Sequence, residues 1–457
     1  MRSVVLSIAL LGCGQVTPGL ADAPPPDSVD AAVAPVSITS LTQTGDGLPD
    51  TNVDVVFADD VGNLISETQV DAQGHAQAEM PTGGTVTLVR TTVDTATTLT
   101  ASMSTITGVK PGDNLTFGLK ALANNTQGGG VTAMPVNVPL NASAGFYTFY
   151  TACDEIGETT VSTSPATIHF HDSCHGATFD LLCVEHGGNL ATPVFFKVSN
   201  ITFQAGGATT IMNPVLATMQ SFTATIANTD QGATALTIDR AGMLGNTSVG
   251  TEVATVSNPP AGTNQLVVPF EQGFGSRSDI VLQELRAGVS FGQNLEIITP
   301  TLTNSIAIDL AALELPSLGS PLVTPSGMTW TTVFPGTADG AEFEWAGHWA
   351  TAAGVATTIV WRIALPLGDT GAALVRLPSK FARLDPAQQT VTISPTIGQI
   401  SMVNYDLING YDEFRLQPET LALGPGAGVV GDSRLPDVGP FNGMAVQRTV
   451  GAIDSRL

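Results

Sequence analysis

The chain has 457 residues, with 40 acidic side chains against 16 basic ones and a formal net charge of -24. An exterior this acidic repels nucleic acid and anionic lipid. No Lys/Arg cluster is present to neutralise phosphates, since only Arg90, Lys110, Lys120 and Lys197 are basic between residues 14 and 200.

The first thirteen residues, MRSVVLSIALLGC, hold one arginine and an apolar run too short to cross a bilayer as a mature helix. Leu10-Leu11-Gly12-Cys13 resembles a bacterial lipobox, in which a peptidase cuts before the cysteine and the thiol carries the lipid. The resemblance implies a lipoprotein signal peptide over residues 1–12, lipidation of Cys13 and attachment to a membrane through that N-terminal anchor. Gly14 follows, with no aspartate at the position that retains many such proteins in an inner membrane. The implied destination is the cell outer membrane or cell surface. The alternative is an ordinary secretion signal that contains a cysteine. Next comes GQVTPGLADAPPPDSVDAAVAP, rich in Ala, Pro and Asp and free of aromatic residues. Residues 13–35 therefore read as a flexible, disordered tether, partly extended by Pro24-Pro25-Pro26.

From residue 36 the chain reads as all-β, with several β-sandwich domains in series. Its 48 glycines and 29 prolines are spread as turns, and 43% hydrophobic residues supply several cores. In NVDVVFADDVGNLISETQVDAQGHAQAEMPTGGTVTLVR, short strands alternate with the turns DVGN, DAQG and TGG. Val53, Val55 and Phe57, then Val86 and Leu88, mark the period of two. Val70-Asp71-Ala72-Gln73-Gly74-His75-Ala76 and the stretch from Pro81 to Thr87 resemble the carboxypeptidase-regulatory-like (prealbumin-like) β-sandwich. That resemblance covers residues 36–95 and implies a scaffold module without catalytic residues. Asp46, Asp50, Asn52 and Asp54 lie close together, with Asp59-Asp60 after the next strand. Oxygen-rich spacing of this kind can hold calcium, but the twelfth position from Asp46 is Phe57, not the acidic residue of an EF-hand loop. Aspartates bonding their own turn backbone are the commoner explanation.

Residues 96–200 supply enough strands for an immunoglobulin-like sandwich, including MSTITGV, AGFYTFYTAC, PATIHFHDSC and TFDLLCVEH, with loops at 126–130 and 155–163. Residues 201–310 repeat the pattern in QSFTATIA, TALTIDRAG and NQLVVPF. A proline-rich break precedes residues 311–457, and the two C-terminal blocks form either two sandwiches or one large one. In AEFEWAGHWATA, Phe343 and Trp345 share one face while Glu342 and Glu344 share the other. That pattern is a half-buried strand rather than a lectin-like aromatic platform, with Trp349 and Trp361 packing the same core. The best helical candidate, ALVRLPSKFARL, is interrupted by Pro378.

With Cys13 lipidated, Cys153, Cys174 and Cys183 remain in an oxidising compartment, where a disulfide is the default. Cys153 and Cys174 end neighbouring candidate strands and are the favoured pair over either pairing with Cys183, which reads as a buried hydrophobe. The region also resembles surface lipoprotein modules in which cysteines following successive aromatic strands are joined. HFHDSCHGATFDLLCVEH holds His169, His171, His175 and His186, with Asp172 and Glu185 beside them. Three converging imidazoles would suit zinc or copper. Against that, the Cys/His spacing fits no closed structural motif, and histidines on strand faces or in turns are the plainer reading.

No G-x-S-x-G, H-E-x-x-H, P-loop or dinucleotide motif is present. Gly424–Gly431 is glycine-rich but lacks a phosphate-binding lysine, and acid pairs such as Asp412-Glu413 are expected among 40 acids. The sequence points to a non-enzymatic, surface-anchored lipoprotein with a structural or binding role and no nucleic-acid partner. The alternatives are a carbohydrate-binding or adhesion protein that meets surface glycans or envelope proteins, and a secreted metal-dependent hydrolase centred on residues 169–186.

Overall fold

The computed structural model describes residues 34–42, 47–118 and, with interruptions between strands, 131–416, together with 418 and 446–456. Among the described residues the chain is all-β. The α-helices are single turns, Leu310–Leu313 and Tyr411–Phe414. Pro378 has no N–H to carry a helix through from the residues before it, and the chain after it forms a 3-10 turn, Ser379–Phe381.

Alternating side chains build four sandwiches. In the first, Val36–Ser40 lies between His75–Ala78 and Asn114–Phe117, antiparallel to the former and parallel to the latter. The facing strands are Leu64–Gln69, Asp54–Ala58, Gly84–Asp94 and Thr98–Val109. Val36, Ile38, Val55, Phe57, Val86, Leu88, Ile106 and Leu115 fill the space between. The boundary read at residue 95 falls inside a hairpin, paired from Gly84 opposite Val109 to Asp94 opposite Leu99. That turn carries neither Gly nor Pro. It is closed by the Thr98 N–H donating to Thr95 Oγ1 at 2.9 Å, so the sandwich continues to Phe117.

The second sandwich sets a five-stranded sheet (Gly157–Thr160, Phe146–Thr151, Thr178–His186, Val194–Thr202, Ala217–Thr218) beside a three-stranded one (Ala166–His171, Val131–Asn137, Thr209–Thr210). Residues 157–160, read as loop, pair with Phe146–Thr151 as a short edge strand. Tyr150, Leu182, Val184 and Phe195 pack against Phe274 of the third sandwich, and Lys197 Nζ donates to the Gly273 carbonyl at 3.0 Å.

The third sandwich packs Phe222, Ile226, Leu266 and Val268 against Leu236, Ile238, Ile280 and Leu282. In the fourth, the sheet Ser317–Thr324, Gly327–Phe334, Gly371–Ala373 covers the strands Gly340–Ala350, Ala356–Leu365 and Ser394–Tyr405. Its core holds all four tryptophans, Trp330, Trp345, Trp349 and Trp361. Phe343 and Trp345 are buried while Glu342 and Glu344 face outward toward Arg362, as the alternation predicts.

One twelve-stranded sheet joins the first, third and fourth sandwiches. Two pairings make it continuous. Val446–Arg456 lies between Gln293–Thr299 and Ser394–Tyr405, and Thr98–Val109 runs parallel to Ala356–Leu365.

Candidate functional site

The parallel seam between Thr98–Val109 and Ala356–Leu365 is held by side chains from both ends of the chain. Trp361 Nε1 donates to Thr105 Oγ1 at 2.9 Å, and that hydroxyl lies 2.8 Å from Thr87 Oγ1. All three groups are buried, so each hydrogen bond satisfies a polar atom that water cannot reach. The phenol of Tyr411 lies 2.9 Å from the carbonyl oxygens of both Thr107 and Ala364 and shares its proton between them. Burial pushes that phenol up to about 12, against the opposing hydrogen bonds to Thr107.

The turn carrying Tyr411 is fixed locally. Gly410, at φ +72, opens it in a conformation that favours glycine, and its N–H donates to Asp339 Oδ1 at 3.0 Å. Glu413 accepts from the Asn409 N–H at 2.8 Å. Phe414 lies over Gly340, where an added Cβ would come within 2.2 Å of the ring. Arg415 then grips Asp113 of the first sandwich through Nε and Nη2, at 2.9 and 3.1 Å, and also bonds Asp412. Lys110 reaches Asp412 from outside at 2.5 Å. The Asp412-Glu413 pair therefore serves a clamp and a turn.

A second polar centre lies in the third sandwich. Alternation along Leu236, Ile238 and Arg240 sends a guanidinium into the core, fully buried. It sits 4.0 Å above the Phe270 ring and 5.7 Å from that of Phe222, while Nη2 donates to Ser278 Oγ and the Thr303 carbonyl at 3.3 and 3.4 Å. Burial pulls its pKa down to about 10, with the Glu271 carboxylate opposing. Sealed from solvent, it ties strands together and offers no face to a ligand. The arginine at the next core-facing step after Leu236 and Ile238 was the signal in the sequence. Asp239 lies on the opposite face, buried, with neither oxygen accepting a hydrogen bond of ordinary geometry. Desolvation raises its carboxyl to about 7, only partly opposed by the Arg240 backbone N–H.

The structure separates the histidines by sheet. His169 and His171 lie opposite Ala133 and Val131 on the edge strand of the three-stranded sheet. His186 lies opposite Phe146 in the five-stranded sheet. His175, Cys153, Cys174 and Cys13 lie outside the described residues. Cys183 is a buried free thiol, raised well above the usual range by burial and then by the Glu185 carboxylate. In the first sandwich Asp50, Asp59 and Asp71 are engaged by protein donors, while Asp46 lies outside the described residues. Asp59 accepts from the Val61 and Asn63 N–H groups at 3.0 and 2.7 Å, and Asp71 from those of Gln73 and His75 at 2.9 and 2.8 Å. Asp50 accepts from Arg90 Nε at 2.6 Å. Among the described residues, no three His, Cys, Asp or Glu side chains gather as a metal ion requires. No described helix is long and apolar enough to cross a membrane.

No protein-family model matches the chain, and no curated protein matches it. Among solved structures it is similar to the Bacillus anthracis TIE protein at 12% identity, over 61% of this chain and 49% of that one, with a TM-score of 0.15. The chain thus spans about half the length of that protein. The Streptococcal ancillary pilin matches at 10% identity, over 60% of this chain and 98% of that one, with a TM-score of 0.15. Two B repeat units of the collagen binding protein of Staphylococcus aureus match at 9% identity, over 84% and 97%, with a TM-score of 0.12. TM-scores this low do not establish a common fold. What the geometry itself defines is a multidomain all-β protein.

Proposed function

We propose that the chain is a non-enzymatic lipoprotein anchored at the cell outer membrane or cell surface, where it acts as a rigid structural or binding display. The seam carries this reading. The first sandwich follows directly on the tether of residues 13–35, and its sheet runs unbroken into the fourth. A pull on Cys13 would therefore reach a body locked by Tyr411, Trp361 and Arg415 rather than a loose first bead. The lipid fixes the base, the tether gives reach, and the acidic exterior keeps the display soluble.

The test is metabolic labelling with radioactive palmitate in a bacterium that processes lipoproteins. The full chain takes up label and partitions into detergent, whereas Cys13→Ala does neither and whole-cell protease removes the parent from the surface. An unlabelled parent, or label that survives Cys13→Ala, overturns the anchoring.

A further inference from the structure

The strand Val446–Arg456 enters the twelve-stranded sheet from the C-terminal end of the chain. One side pairs from Val446 opposite Ile298 to Gly451 opposite Gln293. The other pairs from Arg448 opposite Tyr405 to Arg456 opposite Ile397. Without it, Gln293–Thr299 and Ser394–Tyr405 would present two unpaired edges to one another, backed by the buried Leu295, Ile297, Ile400 and Met402. Open edges of this kind are templates for an added strand. The slot fits one strand, with a register defined on both walls.

Between Leu416 and Val446 lie 29 residues, among them six glycines and four prolines. Fully extended at about 3.3 Å per residue, such a connection reaches at most roughly 95 Å. That is far enough to deliver the strand to the slot of an adjacent molecule. Reciprocal exchange keeps every ladder pairing of the slot and changes only the path of the connection.

We propose that the slot between Gln293–Thr299 and Ser394–Tyr405 is a strand-acceptor site whose second occupant is Val446–Arg456 of another copy of this chain, giving a closed dimer by strand exchange. Association therefore rises with concentration and yields pairs rather than open chains.

The register supplies the test. Ser401 and Ala452 are direct cross-strand partners. Full-length Ser401→Cys and Ala452→Cys chains, carrying tags of different size, are mixed over a range of concentrations and oxidised. Each variant alone is the control for native cysteines, and a chain carrying both substitutions is the control for pairing. The expected result is a reducible band containing both tags, growing with concentration and absent from either single variant. An internal crosslink in the doubly substituted chain, with no mixed band at any concentration, overturns exchange. Absence of both crosslinks overturns the slot's register and the proposal with it.

Discussion

Tyr411 bridges the carbonyl oxygens of Thr107 and Ala364, 2.9 Å from each, where two parallel strands more than 250 positions apart in sequence run side by side. Tyr411→Phe removes the bridging donor and keeps the ring contact with Phe414. Losing a buried hydrogen bond of this kind costs about 1–2 kcal/mol. Urea unfolding of the variant should show a lower midpoint at unchanged slope. An unmoved midpoint would mean the seam does not depend on the phenol.

The two ion pairs at this junction differ in worth. Arg415 and Asp113 are largely shielded from water, while Lys110 and Asp412 are more than half exposed. An exposed pair contributes about 0–1 kcal/mol, so Lys110→Ala should be close to neutral. Arg415→Ala leaves Asp113 without its bidentate partner and should cost about 3–5 kcal/mol. Equal effects of the two substitutions, measured by thermal unfolding, would contradict the placement of Arg415.

Gly347 is a packing requirement. A Cβ there would lie 2.2 Å from Trp345 Cη2, and the indole is pinned by its Nε1 donating to the Thr324 carbonyl at 2.9 Å. Gly347→Ala must displace a fully buried ring, an overpacking cost of about 1–3 kcal/mol. A lower Tm with altered near-ultraviolet circular dichroism is the expected signature. Retained Tm would show that the ring has room to move.

Much of this core was legible beforehand, because Phe343 and Trp345 alternate with Glu342 and Glu344, and a strand has only two faces. The turns at Asp59 and Asp71 were legible for the same local reason, a short carboxylate followed by backbone donors. The seam was not. Nothing in MSTITGV names a partner in ATTIVWRIAL, since pairing over such a separation is decided by which edges remain open after the local hairpins form. Arg240 was missed because a cation at a core position breaks the alternation that defines the strand. His169 and His171 lie on one sheet and His186 on another, a placement that spacing along the chain does not reveal.

Asp239 gives a pH dependence with a definite sign. Its folded pKa, about 7, lies above the 3.8 of a free carboxyl, so the folded state holds a proton that the unfolded state releases. Its contribution is fully present below about pH 4 and is lost as pH rises through 7. A gap of about three pKa units corresponds to up to about 4 kcal/mol. Asp279 and Glu296 occupy the same face on the next two strands. Asp239→Asn should be more stable than the parent at pH 8, with the difference shrinking toward pH 4. A constant difference across that range would mean the carboxyl titrates normally.

The central claim is that the first and fourth sandwiches unfold as one body because a single sheet runs through both. All four tryptophans report on the fourth, and a fluorophore placed at the exposed Val61 reports on the first. Followed together through a urea titration, the two signals should change in one coincident transition. Loss of the Val61 signal at lower urea, with the tryptophans still native, would show that the seam does not bind the two sandwiches together.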